Sequence, residues 1–188
     1  MPSSYFTNPI VFLIDILFTL YMGIVALRII MQWAQWEYHN PLVQFIIRVT
    51  QAPVKQLRKF IAPIGKWDTA TIVLLFLLAA LKLLLIGLFQ AFSINGLSFL
   101  LLVVAEVFSL FITLFSASII IQAILSWISP ANSYNPVVPL ISRMNSPILR
   151  PIRQTVPLVG GIDISPLVAL VGLQILAMLV LPLLTGHI

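Results

Sequence analysis

The 188-residue chain is 61% hydrophobic and only 8% charged, with a mean hydropathy of +1.12. A water-soluble domain carries about a quarter charged residues, so this composition excludes an ordinary soluble fold and puts lipid against most of the surface. With no cysteine, disulfides, thiolate catalysis and thiolate metal sites are excluded. The net charge of +5 points to anionic headgroups rather than nucleic acid, because the basic residues sit between apolar runs.

In chain order, the first eight residues hold no Lys or Arg, so the first apolar run is expected to be a retained helix and not a cleavable signal. Four stretches reach the roughly 20 apolar residues that a membrane-crossing helix needs: 10–33, 69–92, 97–128 and 164–184. The third is longer than a bilayer requires and must tilt, break or project. Runs of this length lack the alternation of a barrel strand. Lys and Arg are unevenly placed. Arg48, Lys55, Arg58, Lys59 and Lys66 lie between spans one and two, and Arg143, Arg150 and Arg153 between spans three and four. The 93–96 connection and the ends of the chain hold none. Basic loops stay cytoplasmic, so both termini are expected in the periplasm.

The two halves repeat. Trp33 precedes Asn40-Pro41 as Ser126-Trp127 precedes Asn135-Pro136, and Arg48 matches Arg143. Pro53-Val54 then pairs with Pro147-Ile148, Lys59 with Arg153, and Pro63 with Pro157. Each copy closes on glycine and aspartate, Gly65 with Asp68 and Gly160-Gly161 with Asp163, at an offset of 94 or 95 residues throughout. Both copies start outside and turn inside. The expected fold is therefore an all-α membrane protein, one domain of four transmembrane helices, as two parallel helix–loop–helix repeats spanning 10–92 and 97–185.

Each cytoplasmic loop reads in two parts. Residues 41–51 and 136–145 are mostly apolar and too short to span, which fits a partly buried or re-entrant segment. After Pro53, Lys55, Arg58 and Lys59 share helical spacing opposite Leu57 and Phe60. In the second copy Ser146 can cap a turn that opens on Pro147, with Arg150 and Arg153 on one face; Pro151 should keep that turn short. Such segments suit an interfacial amphipathic element holding anionic lipid, or equally a plain juxtamembrane loop obeying the charge rule.

Trp127, Asn135-Pro136, the run from Pro147 through Arg150 to Arg153, Pro157, Gly160-Gly161-Ile162-Asp163 and Ser165-Pro166 together resemble the YggT family, also called YlmG. The first copy matches through Gln32-Trp33, Asn40-Pro41, Pro53, Leu57-Arg58, Pro63, Gly65 and Asp68, without the double glycine or the Ser-Pro. The two copies cover nearly the whole chain. The resemblance implies a bacterial inner-membrane protein of the two-repeat proteobacterial type, with no established enzymatic activity. It also implies links to osmotic-shock tolerance, to cell-division gene neighbourhoods and, in photosynthetic lineages, to complex biogenesis or nucleoid distribution. The family defines no catalytic residues, so none carries over.

Asp15, Arg28, Lys82 and Glu106 are ionisable residues inside spans. Arg28 is near the cytoplasmic end and is expected to snorkel to the headgroups. Lys82 and Glu106 both fall roughly 14 Å below the outer ends of neighbouring helices, which predicts an ion pair that Asp15 could join. That pair either fixes helix register or lines a cation or proton pathway; the sparse polar lining favours the former. His39 and His187 have no second ligand at metal spacing, and no phosphate-loop or nucleophile motif occurs, so neither a metal, a cofactor nor an enzyme is expected. Gly160-Gly161 reads as a turn, Ser165 as the cap of span four, and the four tryptophans as an interfacial belt. The expected function is a scaffold or assembly and envelope-homeostasis factor. Its expected partners are membrane lipids, other membrane proteins and a second copy of itself, not nucleic acid. The alternative is a small ion transporter or channel contributing to osmotic tolerance, which would need oligomerisation because four helices enclose little space.

Overall fold

A helix that is apolar all round can be stable only when protein or lipid covers every face. The computed structural model describes residues 9–65, 67–90, 96–128, 135–156 and 163–186, and these form six helices. They are α1 (Pro9–Trp33), α2 (Pro41–Leu57), α3 (Thr69–Gln90), α4 (Gly96–Ile128), α5 (Val137–Thr155) and α6 (Ser165–Thr185). Four of them, α1, α3, α4 and α6, are long and apolar enough to cross a membrane. Leu13, Leu17 and Leu20 of α1 and Leu167, Met178 and Leu179 of α6 are exposed, as lipid-facing side chains should be. The chain is a multi-pass membrane protein. The Gly160-Gly161 turn, Lys66, most of the 93–96 connection, both termini and the Trp127 side chain lie outside what is described.

Helices α1 and α3 pack closely, as do α4 and α6, and α4 also reaches α3 and α1 across the repeat boundary. The larger core cluster is Met22, Val25, Ala26 and Ile29 of α1 with Ala70, Leu74, Leu75 and Ala79 of α3, completed by Val103, Val107 and Leu110 of α4. Alanines at these contacts let the helix backbones approach, and packing of this kind drives association where lipid removes the hydrophobic drive. Helix α4, roughly 50 Å long at ~1.5 Å per residue, runs unbroken, and α5 lies against it at Ser118 and Gln122. Of the three outcomes foreseen for the overlong span, breaking is excluded.

The two-part reading of the loops is corrected. Pro53 lies inside α2, and Pro147 and Pro151 lie inside α5, so the two parts read in each loop join in one continuous amphipathic helix, Pro41–Leu57 in the first and Val137–Thr155 in the second. Ser146 does not cap a new turn, and an unbroken helix leaves no re-entrant reversal. Burial explains why proline does not end these helices. Val43, Ile46, Thr50 and Val54 stay on one buried face only if α2 continues past Pro53, and Leu149 is 1% exposed beyond Pro147. Covering those side chains offsets the lost hydrogen bond and the steric clash of each proline.

Both surface helices begin alike. The Asn40 carboxamide oxygen accepts from the Leu42 N–H and that of Asn135 from the Val137 N–H, each at 2.9 Å, satisfying an otherwise unpaired amide of the first turn. Asn40 also donates to the Pro136 carbonyl at 2.7 Å, so the two copies of the Asn-Pro motif touch. Val43 and Ile46 of α2 share a second core cluster with Leu140 and Met144 of α5, over Ile30 and Met31 of α1. Arg143 adds a bond to the Gln35 carbonyl and an ion pair to Glu37 at 2.6 Å.

Candidate functional site: two polar junctions and a membrane clasp

Polar atoms are costly in a lipid-solvated bundle unless paired, so the paired ones mark what the fold has retained. The first group joins three spans. Lys82 of α3 places its Nζ 2.7 Å from Asp15 Oδ1, 2.5 Å from Glu106 Oε1 and 2.9 Å from Thr19 Oγ1, with its side chain 5% exposed. An ammonium has three N–H donors, and here all three are used. Asp15 and Thr19 come from α1 and Glu106 from α4, so the clasp binds both repeats. Glu106 is partly covered and Asp15 is half exposed.

The second group is the junction of α1, α2 and α3. Arg28 does not snorkel: it is buried and turned into the protein. One guanidinium nitrogen donates to Thr50 Oγ1 at 2.7 Å, the other to Gln51 Oε1 at 3.2 Å, and Asp68 lies 3.8 Å away. The amphipathic helix α2 supplies these acceptors where headgroups were expected. Asp68 is gripped by Arg58 through two bonds, at 3.2 and 2.6 Å, and accepts from the Thr71 hydroxyl. Burial alone would raise its pKa, but the bonds from Arg58 and Thr71 and the charges of both arginines hold its carboxyl below the usual range.

The third group repeats this plan in the second copy. Asn145 of α5, fully buried, accepts from the Ser118 hydroxyl at 2.7 Å and donates to Gln122 Oε1 at 2.8 Å. Arg153 bonds Asp163 at 2.9 Å, and the other Asp163 oxygen accepts from the Ser165 N–H. Against the upward push of burial, the bonds from Ser165 and Arg153 hold Asp163 below the ordinary carboxylate range. Asp163 thus serves the start of α6, and Ser165 is not its N-cap; Ile164 occupies that position.

The geometry corrects the register of the repeat. Arg58, not Lys59, is the counterpart of Arg153, since each binds the aspartate ten residues ahead. A uniform shift of 95 then pairs Lys55 with Arg150, Arg48 with Arg143 and Thr50 with Asn145. On α1 and α4, where the Trp33–Trp127 shift is 94, Arg28 pairs with Gln122. Of the six basic residues singled out in the loops, Arg58, Arg153 and Arg143 are in ion pairs, while Lys55, Lys59 and Arg150 stand exposed on α2, the turn after it, and α5. Sequence reasoning singled out Arg28 but gave it the wrong surroundings, and it missed Thr50 and Asn145; polar side chains recurring at matched positions on otherwise apolar faces were the signal.

These features define a class: a membrane protein of two fused, parallel three-helix repeats, each with one amphipathic helix docked on a pair of spans. A family model for CCB3/YggT matches residues 7–89 and again 101–184, and the chain belongs to that family. An uncharacterized protein of Pseudomonas aeruginosa is 36% identical over 173 residues, 91% of this chain and 87% of its own. One encoded in the proC 3' region of Vibrio alginolyticus is 36% identical over 170 residues, 89% and 90% of the two chains. The uncharacterized protein YggT of Escherichia coli K12 is 32% identical over 173 residues, 91% and 88%. No solved structure matches.

Proposed function

We propose that the protein is a non-catalytic scaffold of the bacterial inner membrane, with α2 and α5 on the cytoplasmic surface and both termini in the periplasm. Its basic platform, chiefly Arg48, Lys55, Lys59 and Arg150, holds anionic headgroups and the acidic segments of partner membrane proteins. The observation that carries this reading is the engagement of both intramembrane carboxylates by one ammonium: Lys82 sits 2.7 Å from Asp15 and 2.5 Å from Glu106 and also bonds Thr19, which suits a fastener and occupies the acceptors that a passing cation would need. The repeated architecture supports it too, because what recurs in both copies is the surface helix and its anchoring pair.

The test uses photoreactive residues at positions 48, 55 and 59 in intact cells. Discrete protein adducts from these sites, absent when the same probe is placed at residue 12, are expected. Lipid adducts alone at all three would defeat the partner-holding reading. Because the sequence contains no cysteine, single cysteines at 48 and 96 report orientation directly. Labelling of 96 but not 48 by an impermeant reagent in whole cells is expected, and the reverse would overturn the orientation.

A further inference from the structure

The two repeats share a plan but differ where Arg28 of the first is matched by Gln122 of the second, and a cavity lies beside the shorter residue. In repeat one Arg28 fills the space between α1, α2 and α3, reaching Thr50, Gln51 and the neighbourhood of Asp68. In repeat two the matching residue is the shorter Gln122, which stops at Asn145. Between α4 and α6 a groove of about 560 Å³ remains, with Ile120, Ile124, Leu167 and Leu170 as its apolar wall and Gln122, Arg153 and Asp163 at its polar end. A second cavity of about 240 Å³ on the α5 side is lined by Ser142, Ser146, Arg150 and Gln154, and Gln122 and Arg153 line both.

We propose that this composite groove binds one anionic phospholipid, with the phosphate against Arg150 and Arg153 and an acyl chain laid along Ile120, Ile124, Leu167 and Leu170. Charge complementarity names the occupant. Arg150 and Arg153 carry two positive charges against the single negative charge of Asp163, so the polar end has a surplus of one, which a phosphodiester neutralises. The apolar wall faces outward, with Ile120, Ile124 and Leu167 exposed, so a chain enters sideways from the bilayer. Basic pockets between spans at the cytoplasmic boundary are where anionic headgroups bind. The arginine fork, planar and always charged, matches phosphate geometry. In repeat one Arg28 occupies the corresponding interior and pairs towards Asp68, and a smaller depression of about 300 Å³ lies around Gln32, Arg58, Gly65, Trp67 and Asp68.

The inference rests on the same basic face as the scaffold proposal but needs no protein partner, so either can fail alone. The experiment is native mass spectrometry of the purified full chain in detergent, titrated with phosphatidylglycerol or phosphatidylethanolamine. One tightly retained phosphatidylglycerol is expected, with phosphatidylethanolamine much weaker. Arg150→Gln removes a charge-assisted contact and should weaken retention about tenfold or more. Ala123→Phe leaves every charge in place but fills the groove beside Ile124, and should abolish the tight adduct. Both variants are checked for unchanged thermal unfolding; should Arg150→Gln unfold early, Arg150→Lys, expected to retain partial binding, replaces it, and should Ala123→Phe do so, Ala123→Leu, expected to weaken the adduct by partly filling the same groove, replaces it. Equal retention of the two lipids, or an Ala123→Phe protein that holds phosphatidylglycerol as the parent does, would overturn the site.

Discussion

Replacing Lys82 with methionine keeps the length and apolar stem of the side chain while removing the ammonium. Two carboxylates, Asp15 and Glu106, then lose their shared cation, together with the 2.7 and 2.5 Å contacts and the bond to Thr19. Removing one partner of a buried pair costs about 3–5 kcal/mol, because the other charge stays buried and unpaired. Asp15 is half exposed and Glu106 partly so, which places this case at the low end, about 3 kcal/mol. For a chain of this size that is a fall in midpoint of roughly 6–12 °C. Neutralising all three groups, in the triple variant Asp15→Asn, Lys82→Met, Glu106→Gln, should recover more than half of the loss. Thermal unfolding in detergent, read by tryptophan fluorescence, measures both. A Lys82→Met protein within about 0.5 kcal/mol of the parent, the range of inert surface changes, or a triple variant no better than the single, would refute the clasp.

Other expectations follow from the two junctions. Asp68→Asn should destabilise by about 3 kcal/mol, since it strands Arg28 and loosens Arg58, whereas Asp163→Asn should cost about 1 kcal/mol or less because its single pair is half exposed; denaturant titration compares them. Both carboxyls are held below their unfolded value of about 3.9. Their contribution is therefore complete above about pH 4 and is lost as pH falls through the folded values. Melting temperature should drop on acidification below that point, and less steeply in Asp68→Asn. Asn145→Ala leaves the Gln122 carbonyl without its donor and should cost about 1–3 kcal/mol. Arg143→Ala breaks an exposed pair with Glu37, and a change of more than about 1 kcal/mol there would contradict the surface estimate.

The spans were legible because lipid imposes length and hydrophobicity on sequence directly, and α1, α3, α4 and α6 begin and end within two residues of the expected positions. Matched depth along neighbouring helices was enough to pair Lys82 with Glu106. The surface helices were harder. Proline was given its local meaning at Pro53, Pro147 and Pro151, yet burial of Val54 and Leu149 holds both helices continuous. Arg28 was misplaced for a related reason: snorkelling assumes headgroups at the helix end, whereas α2 covers that end and offers Thr50 and Gln51 instead. The Arg58–Asp68 and Arg153–Asp163 pairs were in view as repeated residues, but a one-residue slip in the alignment assigned Lys59 the role of Arg58.

Ion flux from liposomes containing the purified protein separates fastening from transport most directly. With Asp15 and Glu106 both held by Lys82, no flux of protons, sodium or potassium above that of empty liposomes is predicted, and no change on Glu106→Gln. A cation-selective flux carried by the parent protein and lost in Glu106→Gln would contradict the scaffold reading.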